Sequence, residues 1–329
     1  MSEAAVKTKK PSSINARLIG DMAPYIGLVL VVIVFGFLTN WNLVSGTNLQ
    51  AMSSSVITTA TCTIGAVFVF AAGYFDMAIG GSLCFSAVLG TMATIATGSL
   101  FVGAIVILAV SIALACIKAT LASYVNVPFF IFTIILGSIF SAVVLVIMGK
   151  ETTLLLKNAV KPIPEFTFGQ MSVISIICLL IFFVICVILF RFTPVGPKAK
   201  NLGGNVFAAK QSGISKTKTT FTVFIIGAIG IALAAFLLML RTRTVGNTTG
   251  GSLGNDVMVA LVLGGMPLSG GPRSKISAGL VGAITITVLN SGLTMMGLST
   301  GQVQIIRGIV FIIVVLVSSL SYRGKLLPR

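Results

Sequence analysis

The stretch NLGGNVFAAKQSGIS, Asn201 to Ser215, separates two strongly apolar blocks of the sequence. It contains glycines, alanines, a lysine and amides, and it has no carboxylate. An asparagine cap at Asn205 and a stop at Ser212-Gly213 predict a short helix. The small residues Ala208 and Ala209 would let this helix enter a groove on a soluble partner. A solvated basic loop that only fixes the topology is the alternative, and these residues alone leave both open.

The rest of the chain is typical of a polytopic membrane protein. It has 329 residues, of which 56% are hydrophobic and 9% are charged, and its mean hydropathy is +1.11. An ordinary soluble domain has about 25% charged residues. The first twenty residues are too polar for a secretory signal, so the first apolar block, from Met22, is expected to be retained. The predicted fold class is all-α.

Ten apolar segments are long enough, or nearly long enough, to cross a bilayer as helices. A helix needs about 20 apolar residues for this, and fewer when it is buried among other helices. The segments are 22–40, 53–73, 79–97, 100–120, 127–148, 171–191, 219–240, 255–267, 276–297 and 303–321. Glycines interrupt the third segment and the eighth is short, so the predicted count is eight to ten.

The distribution of basic residues predicts the orientation. Lys and Arg total 22 against six acids, but they lie in loops and do not form the single basic face expected for binding nucleic acid. If the chain starts in the cytoplasm and crosses ten times, most of them fall inside, as the positive-inside rule requires. These residues are Lys7, Lys9, Lys10, Arg17, Arg191, Lys198, Lys200, Lys210, Lys216, Lys218, Arg273, Lys275, Arg323, Lys325 and Arg329. The loop 149–170 mixes Lys150, Lys157 and Lys161 with Glu151 and Glu165, which suits an outer face. Arg241 and Arg243 are the exceptions to the rule. Both termini are predicted to be cytoplasmic.

The residue types present argue against a metal site, a catalytic site and an ATP-binding site. The sequence has no histidine, and its five cysteines show no CxxC spacing, which argues against a zinc or iron–sulfur site. Without histidine the usual Ser-His and Cys-His nucleophiles are absent, and no catalytic residue is predicted. The glycine-rich GGPRSK, Gly270 to Lys275, lacks the spacing of a phosphate-binding loop. The chain is therefore predicted not to be an enzyme and not to hydrolyse ATP.

Four stretches carry a resemblance to a known family. TPVGPKAKNLGGNVFAAKQSGIS, Thr193 to Ser215, resembles the cytoplasmic loop of the ribose-type permease subunits of bacterial ABC importers. AAGYFDMAIGGSL, Ala71 to Leu83, is similar to the family's G-G-I-D-L-S-V-G-S element, with Asp76 and Gly80 matching. VNVPFFIFTIILG, from Val125, and GNDVMVALVLGGMPLSGGPRSKISAGLVGAI, from Gly254, resemble two further family stretches. Together they spread the resemblance over most of residues 48 to 320.

The family resemblance implies a domain plan and a set of partners. It implies a cytoplasmic segment 1–20, a membrane permease domain 21–322 with a coupling loop 193–217, and a cytoplasmic tail 323–329, in the bacterial cytoplasmic membrane. The expected partners are a cytoplasmic ABC ATPase, an extracytoplasmic solute-binding protein, a second copy or homologous permease, and membrane lipid. No cofactor is expected on this chain, because ATP and Mg²⁺ would bind the ATPase. The implied solute is a monosaccharide or a related small polar molecule.

The resemblance also implies two groups of functional residues. The ATPase-coupling residues are expected to be Gly203, Gly204, Asn205, Ala208, Ala209, Ser212 and Gly213. The translocation path or its gate is expected to involve Gly73, Asp76, Gly80, Phe129, Gly265 and Asn290.

Each path residue also has a purely structural interpretation. Asp76 is a gating or ligand residue, or a cap for the backbone amides of Met77 to Gly80. The glycines line the path or only permit close packing. Phe129 stacks on a sugar or fills the core, and Asn290 binds solute or another helix.

Two other function classes are weighed against the importer. An ion-coupled secondary transporter or channel would need no ATPase, but it usually relies on intramembrane carboxylates, and few are present. A membrane enzyme would need a reactive constellation of side chains, and the sequence offers none. The sequence alone does not distinguish a homodimer from a heterodimer.

Overall fold

A computed structural model describes residues 14–125, 128–267 and 269–323. The predicted cytoplasmic ends, 1–20 and 323–329, lie mostly outside the described residues. The first helix begins at Ile14, within the predicted N-terminal segment. The helices of the described part are α1 Ile14–Leu38, α2 Gly46–Ala71, α3 Ile79–Thr97, α4 Leu100–Tyr124, α5 Phe129–Met148, α6 Phe168–Arg191, α7 Val195–Gly204, α8 Val206–Gln211, α9 Lys216–Thr242, α10 Leu253–Leu263, α11 Ser277–Met295 and α12 Thr300–Arg323.

The all-α membrane fold is confirmed. Seven of the described helices are long and apolar enough to cross a membrane: α2 to α6, α9 and α11. Three shorter apolar helices, Met22–Leu38, Leu253–Leu263 and Thr300–Leu316, fall on the remaining predicted segments. The predicted third segment, 79–97, coincides with α3. Helix α7 was not predicted, because its proline and glycines are typical of a loop, although its buried residues Gly196, Ala199 and Leu202 recur every three positions on one face.

The helices pack as two similar groups of four. Helices α2 and α9 pack against each other at the centre. In the first group, α4 packs against α9, and α3 packs against α4 and α5. In the second group, α11 packs against α2, and α10 packs against α11 and α12. The arrangement of α2–α5 is therefore repeated by α9–α12, as in membrane transporters built from internal repeats.

Two short strands and the helices α7 and α8 mark opposite ends of the bundle. Strands β1 (Thr153–Leu155) and β2 (Thr244–Gly246) pair antiparallel, with Leu154 opposite Val245. Helix α9 begins just after α8 and ends just before β2, so its length of 27 residues, about 40 Å at 1.5 Å per residue, separates them. We call these the strand end and the α7–α8 end.

Helix α10 is too short to cross a membrane and begins inside the bundle. Its 11 residues span about 16 Å at 1.5 Å per residue. The irregular segment 247–252 before it reaches α3, where a Cβ on Gly80 would lie 2.5 Å from the carbonyl oxygen of Gly250. Irregular backbone at this depth is tolerated only when protein or a water-filled cavity surrounds it. Gly80 therefore marks the contact of α3 with the start of α10.

Candidate coupling and translocation site

Helix α8 has the predicted cap and stop. The side-chain oxygen of Asn205 accepts hydrogen bonds from the N–H groups of Phe207 at 2.9 Å and Ala208 at 3.1 Å. The helix ends at Gln211, followed by Ser212 and by Gly213 with a φ of +77°. A left-handed residue after a helix favours glycine, which has no Cβ to clash. The short helix predicted from Asn205 to Gly213 is confirmed.

The exposed face of α8 differs from the predicted one. Phe207 is 79% exposed, and Ala208 is also exposed. Ala209 is only 2% exposed, because its side chain faces the protein itself. Ala209 therefore cannot meet a partner directly, and its proposed contact role is corrected to anchoring α8. The large apolar group that α8 offers is Phe207, which the focus on small residues missed.

Helix α7 is anchored on the end of α6. Ala199 and Leu202 are buried, and the ammonium of Lys200 lies 4.6 Å from the ring centre of Phe190. Burial lowers the pKa of Lys200 below its usual value. The apolar stem of a lysine can cover such a ring while its charged head reaches water. Movement of α7 would therefore be transmitted to the neighbouring helices.

The end of α7 meets the end of α2 through glycines. A Cβ on Gly203 would overlap the carbonyl oxygen of Ala71 and would lie 2.8 Å from the nitrogen of Gly73. A Cβ on Gly271 would lie 3.2 Å from the Cα of Gly204, and the Gly271 N–H donates to the Ala71 carbonyl at 2.9 Å. We call Gly73, Gly203, Gly204, Gly270 and Gly271 the glycine junction. It brings the α2–α3 connection and the 269–272 loop directly onto α7.

Asp76, three residues after Gly73 of the glycine junction, forms a buried ion pair. Its carboxylate lies 2.6 Å from the ammonium of Lys118 in α4, and the two side chains are 5% and 2% exposed. The second oxygen accepts a hydrogen bond from the Ala78 N–H at 2.9 Å. Lys118 also donates to the Ser82 hydroxyl at 3.3 Å. The charge on Asp76 is thus compensated, as burial in a membrane protein requires.

The capping interpretation of Asp76 is borne out for one amide of the range Met77 to Gly80. Of the amides in that range, Ala78 donates to Asp76, whereas the Met77 N–H donates to the Thr133 hydroxyl at 3.0 Å. The residue before α3 is Ala78, and it makes no side-chain cap. Lys118 was overlooked, although a lysine inside an apolar segment is itself a signal of a buried acidic partner.

A second buried pair joins the short helix α10 to α12. Asp256, in the first turn of α10, pairs with Arg307 of α12, and the side chains are 13% and 11% exposed. The Ser252 hydroxyl donates to the other carboxylate oxygen at 3.1 Å. A negative charge near the N-terminus of a helix is also favoured by the helix dipole. The pairing of Asp256 with Arg307 was not predicted from the sequence.

An aromatic cluster closes the space beside the Asp76–Lys118 pair. The rings of Tyr74, Phe129 and Phe224 lie 5.4 to 5.7 Å apart, and the Tyr74 hydroxyl lies 2.9 Å from that of Thr220. The adjoining cavity, lined by Asp76, Lys118 and Phe224 among others, has a volume of about 10 Å³. That volume holds roughly one water molecule. The structure is therefore closed at this point to anything of sugar size.

The predicted path residues separate into two groups. Gly73, Asp76, Gly80 and Phe129 lie on one connected surface formed by the 73–81 segment and the start of α5. Gly265 packs elsewhere, since a Cβ there would lie 2.6 Å from the Pro24 ring of α1.

Asn290 also lies apart from this surface, on the part of α11 that packs near Leu43 and Met52. Its neighbour Ser291 donates to the side-chain oxygen of Asn48 at 3.2 Å. Within the described part of the chain, the side-chain oxygen of Asn290 accepts no hydrogen bond. Gly265 and Asn290 therefore both lie apart from the surface that contains Asp76.

Comparison with known proteins identifies the family. Residues 48–315 match the family model described as "Branched-chain amino acid transport system / permease component". The chain belongs to this permease family. It is 29% identical to the ribose import permease protein RbsC of Bacillus subtilis over 304 residues, which cover 90% of this chain and 91% of the relative. It is 23% identical to the RbsC protein of Haemophilus influenzae over 94% of this chain and 96% of the relative.

A shorter match extends the list of similar permeases. The galactose/methyl galactoside import permease MglC of Haemophilus influenzae is 31% identical over 42% of this chain and 41% of its own length. No solved structure matches this chain significantly. The family relation confirms that the chain is the membrane-embedded transport subunit of an ABC importer and not an enzyme, with ATP hydrolysis on a separate subunit. It does not support the ion-coupled alternative.

Proposed function

We propose that this permease forms the translocation path for a monosaccharide or a related small polar solute. The support for this solute class is the similarity to a ribose import permease over 90% of the chain and to a galactose/methyl galactoside import permease over 42% of it. The proposed setting is the bacterial cytoplasmic membrane, with ten crossings and both termini in the cytoplasm. A solute-binding protein would deliver the solute at the strand end, and a second copy or a homologous permease would complete the path.

In this proposal α7 and α8 form the coupling element that the ATPase moves. The observation that carries it is the exposed Phe207 on a capped helix whose base is fixed to the glycine junction. A largely exposed aromatic side chain favours a partner pocket, where such a group can contribute strongly to binding. The positive charges around α8 would complement acidic groups on that partner.

Through the glycine junction, movement of the coupling element would reach the translocation path. A displacement of Gly203 would push on the α2–α3 connection, because their backbones are in direct contact. This connection carries Tyr74 of the aromatic cluster and Asp76 of the ion pair. We expect ATPase movement to open or close the aromatic cluster by this route. A packed junction transmits such shifts because interiors are nearly close-packed.

The test is copurification of the tagged permease with the ATPase encoded beside it, followed by uptake assays. The Phe207→Ser variant should lose at least about tenfold in ATPase affinity, the loss typical of a hot-spot residue. Phe101 is 73% exposed in α4, near the strand end, and Phe101→Ser is the matched control that should keep the ATPase. Equal loss in both variants would indicate a general folding defect and refute the assignment of Phe207.

The solute class is tested separately in proteoliposomes that contain the ATPase and the binding protein. ATP-dependent uptake of radiolabelled ribose, galactose or xylose should exceed that of leucine. Uptake that persists without the ATPase and follows an ion gradient would contradict the importer mechanism. Preferential leucine uptake would keep the mechanism and overturn the proposed solute.

A further inference from the structure

A small cavity at the strand end, lined by polar and apolar side chains, is not explained by coupling or translocation. It has a volume of about 10 Å³ and lies between the first part of α2, the first turns of α6 and the end of α9. Its polar side chains are Ser54, Thr58, Ser172, Ser175 and Arg241. The cavity contains no carboxylate, so its net charge is positive.

Two of its polar groups have no partner among the described residues. Ser175 is 6% exposed, and its hydroxyl makes no hydrogen bond there, whereas the hydroxyls of Ser54 and Ser172 donate to backbone carbonyls of their own helices. A hydroxyl that lines a cavity and has no protein partner is available to a bound molecule.

Arg241 contrasts with its neighbour Arg243 in the same way. Arg243 lies 3.4 Å from Glu165 and donates to the Pro164 carbonyl at 3.1 Å. The described residues give Arg241 neither an acidic partner nor a hydrogen-bond acceptor. Both arginines depart from the positive-inside pattern, but only Arg243 is compensated by the protein itself.

The chemistry of these free donors fits a phosphate group. A guanidinium presents several N–H donors in a rigid plane that matches phosphate and carboxylate oxygens. The first turn of α6 adds the positive end of a helix dipole, which favours an anion. The adjoining outer surface of α6 is apolar, with Val173, Ile176 and Ile177 each at least 42% exposed. An anion with long hydrocarbon chains would be complementary to both parts.

We propose that the phosphate group of a membrane phospholipid lies on Arg241 at the open mouth of this cavity, with one water-sized oxygen reaching Ser175 and the acyl chains lying along α6. With α7 and α8 in the cytoplasm, this lipid belongs to the outer leaflet. The bound lipid neutralises Arg241, which has no partner among the described residues, and it links α6 to α2 and α9. The site is independent of the solute and of the ATPase contact.

The proposal is tested by native mass spectrometry of the purified full chain in detergent, titrated with dioleoylphosphatidylglycerol. The wild type should retain one lipid molecule, and Arg241→Gln should weaken its binding by about tenfold or more, as expected for a lost charge-assisted hydrogen bond. Arg243→Gln, two residues away on the same helix end, is the matched control and should bind the lipid like the wild type. Unchanged affinity in Arg241→Gln would overturn the proposal.

Two further ligands show which part of the phospholipid the site recognises. Dioleoylglycerol has the same chains without phosphate, and glycerol 3-phosphate has the phosphate without chains. We expect wild-type binding to the phospholipid to exceed binding to either compound by at least about tenfold. Equal binding of dioleoylglycerol would refute phosphate recognition, and equal binding of glycerol 3-phosphate would refute a lipid site.

Ser175→Ala is a second variant that tests the site even if Arg241→Gln does not fold. It removes a hydroxyl that has no described protein partner, so the free protein should keep its thermal stability or gain slightly. Its lipid affinity should fall several-fold, by the loss of one hydrogen bond. A fall in stability with unchanged lipid affinity would assign Ser175 to the protein core and contradict its role in the site.

Discussion

At the scale of single residues, the Asp76–Lys118 pair sets the clearest constraint. Both side chains are almost fully buried, and removing either charge would leave the other without compensation. Breaking a buried pair in this way costs about 3 to 5 kcal/mol, whereas replacing both partners is often neutral. The pair is therefore more informative about the geometry of the α2–α3 connection than about total stability.

We expect Lys118→Met to destabilise the detergent-solubilised permease by about 3 kcal/mol, because Asp76 would remain buried and unpaired. The double variant Asp76→Asn/Lys118→Met should recover most of that loss, since the asparagine oxygen can still accept the Ala78 N–H. The measurement is the midpoint of thermal or denaturant unfolding. Lys157→Met, at an exposed lysine, is the control and should change stability by less than about 0.5 kcal/mol.

The double variant also decides whether the charges serve transport. Asp76→Asn alone would be ambiguous, because it leaves the buried ammonium of Lys118 without its counter-ion. If the double variant folds and transports like the wild type, the pair is structural. If it folds normally but its ATP-dependent uptake falls at least about tenfold, the charges are required for gating. Failure of the double variant to recover stability would contradict the pairing itself.

Residue contacts were the least predictable part of the site. Asp76 was identified from sequence, but its partner is 42 positions away on another helix, beyond the reach of helical periodicity. The pairing of Arg307 with Asp256 was not predicted for the same reason, since the two residues are 51 positions apart. Lys118, Asp256 and Arg307 lie within the predicted apolar segments and Asp76 lies in the short gap between two of them, so considering these four charges together would have indicated two pairs. Phe207 was missed because exposure on a short helix depends on how its neighbours pack.

At the scale of elements, the glycine junction makes a prediction about coupling. Gly203→Ala would force the Ala71 carbonyl and the end of α7 apart, since the added Cβ has no space. Overpacking of this kind typically costs about 1 to 3 kcal/mol. We expect the variant to bind the ATPase but to transport fewer solute molecules per ATP hydrolysed. The measurement is the ratio of uptake to ATP hydrolysis in proteoliposomes.

Gly301→Ala provides the matched control for the junction variant. Gly301 also lies in a helix, but a Cβ there would meet no atom within 4 Å. Alanine in such a position should stabilise the helix by up to about 1 kcal/mol. A coupling ratio that falls equally in both variants would show that the junction has no special role.

Helices were predictable because composition and length determine them. The apolar segments of the sequence coincide with α1 to α6 and α9 to α12 to within a few residues at most ends. The predicted start at 22 missed the first turns of α1, where Asn15, Arg17 and Asp21 interrupt the apolar residues. The irregular entry to α10 was not predicted, because a buried glycine- and threonine-rich segment has the same composition as a surface loop.

At the scale of the whole molecule, the fold gathers basic residues at the α7–α8 end. The contact of Gly204 with Pro272 places the 269–276 loop, with its basic residues, beside α7. Lys216 reaches the Ser123 carbonyl at 2.9 Å, which brings the end of α4 to the same end. The basic loops were predicted to share one side from sequence alone, and these contacts agree with that prediction. By the positive-inside rule we propose that this end faces the cytoplasm.

Cysteine labelling tests this orientation directly. In a background where the five native cysteines are replaced by alanine or serine, Lys157→Cys and Lys210→Cys each introduce one exposed thiol. A membrane-impermeant maleimide should label Lys157→Cys in intact spheroplasts and Lys210→Cys only after lysis, because the two positions lie at opposite ends of the bundle. The reverse pattern would invert the molecule. The exposed Phe207 would then face away from the ATP supply, and both the coupling assignment and the outer-leaflet lipid would have to be reassigned together.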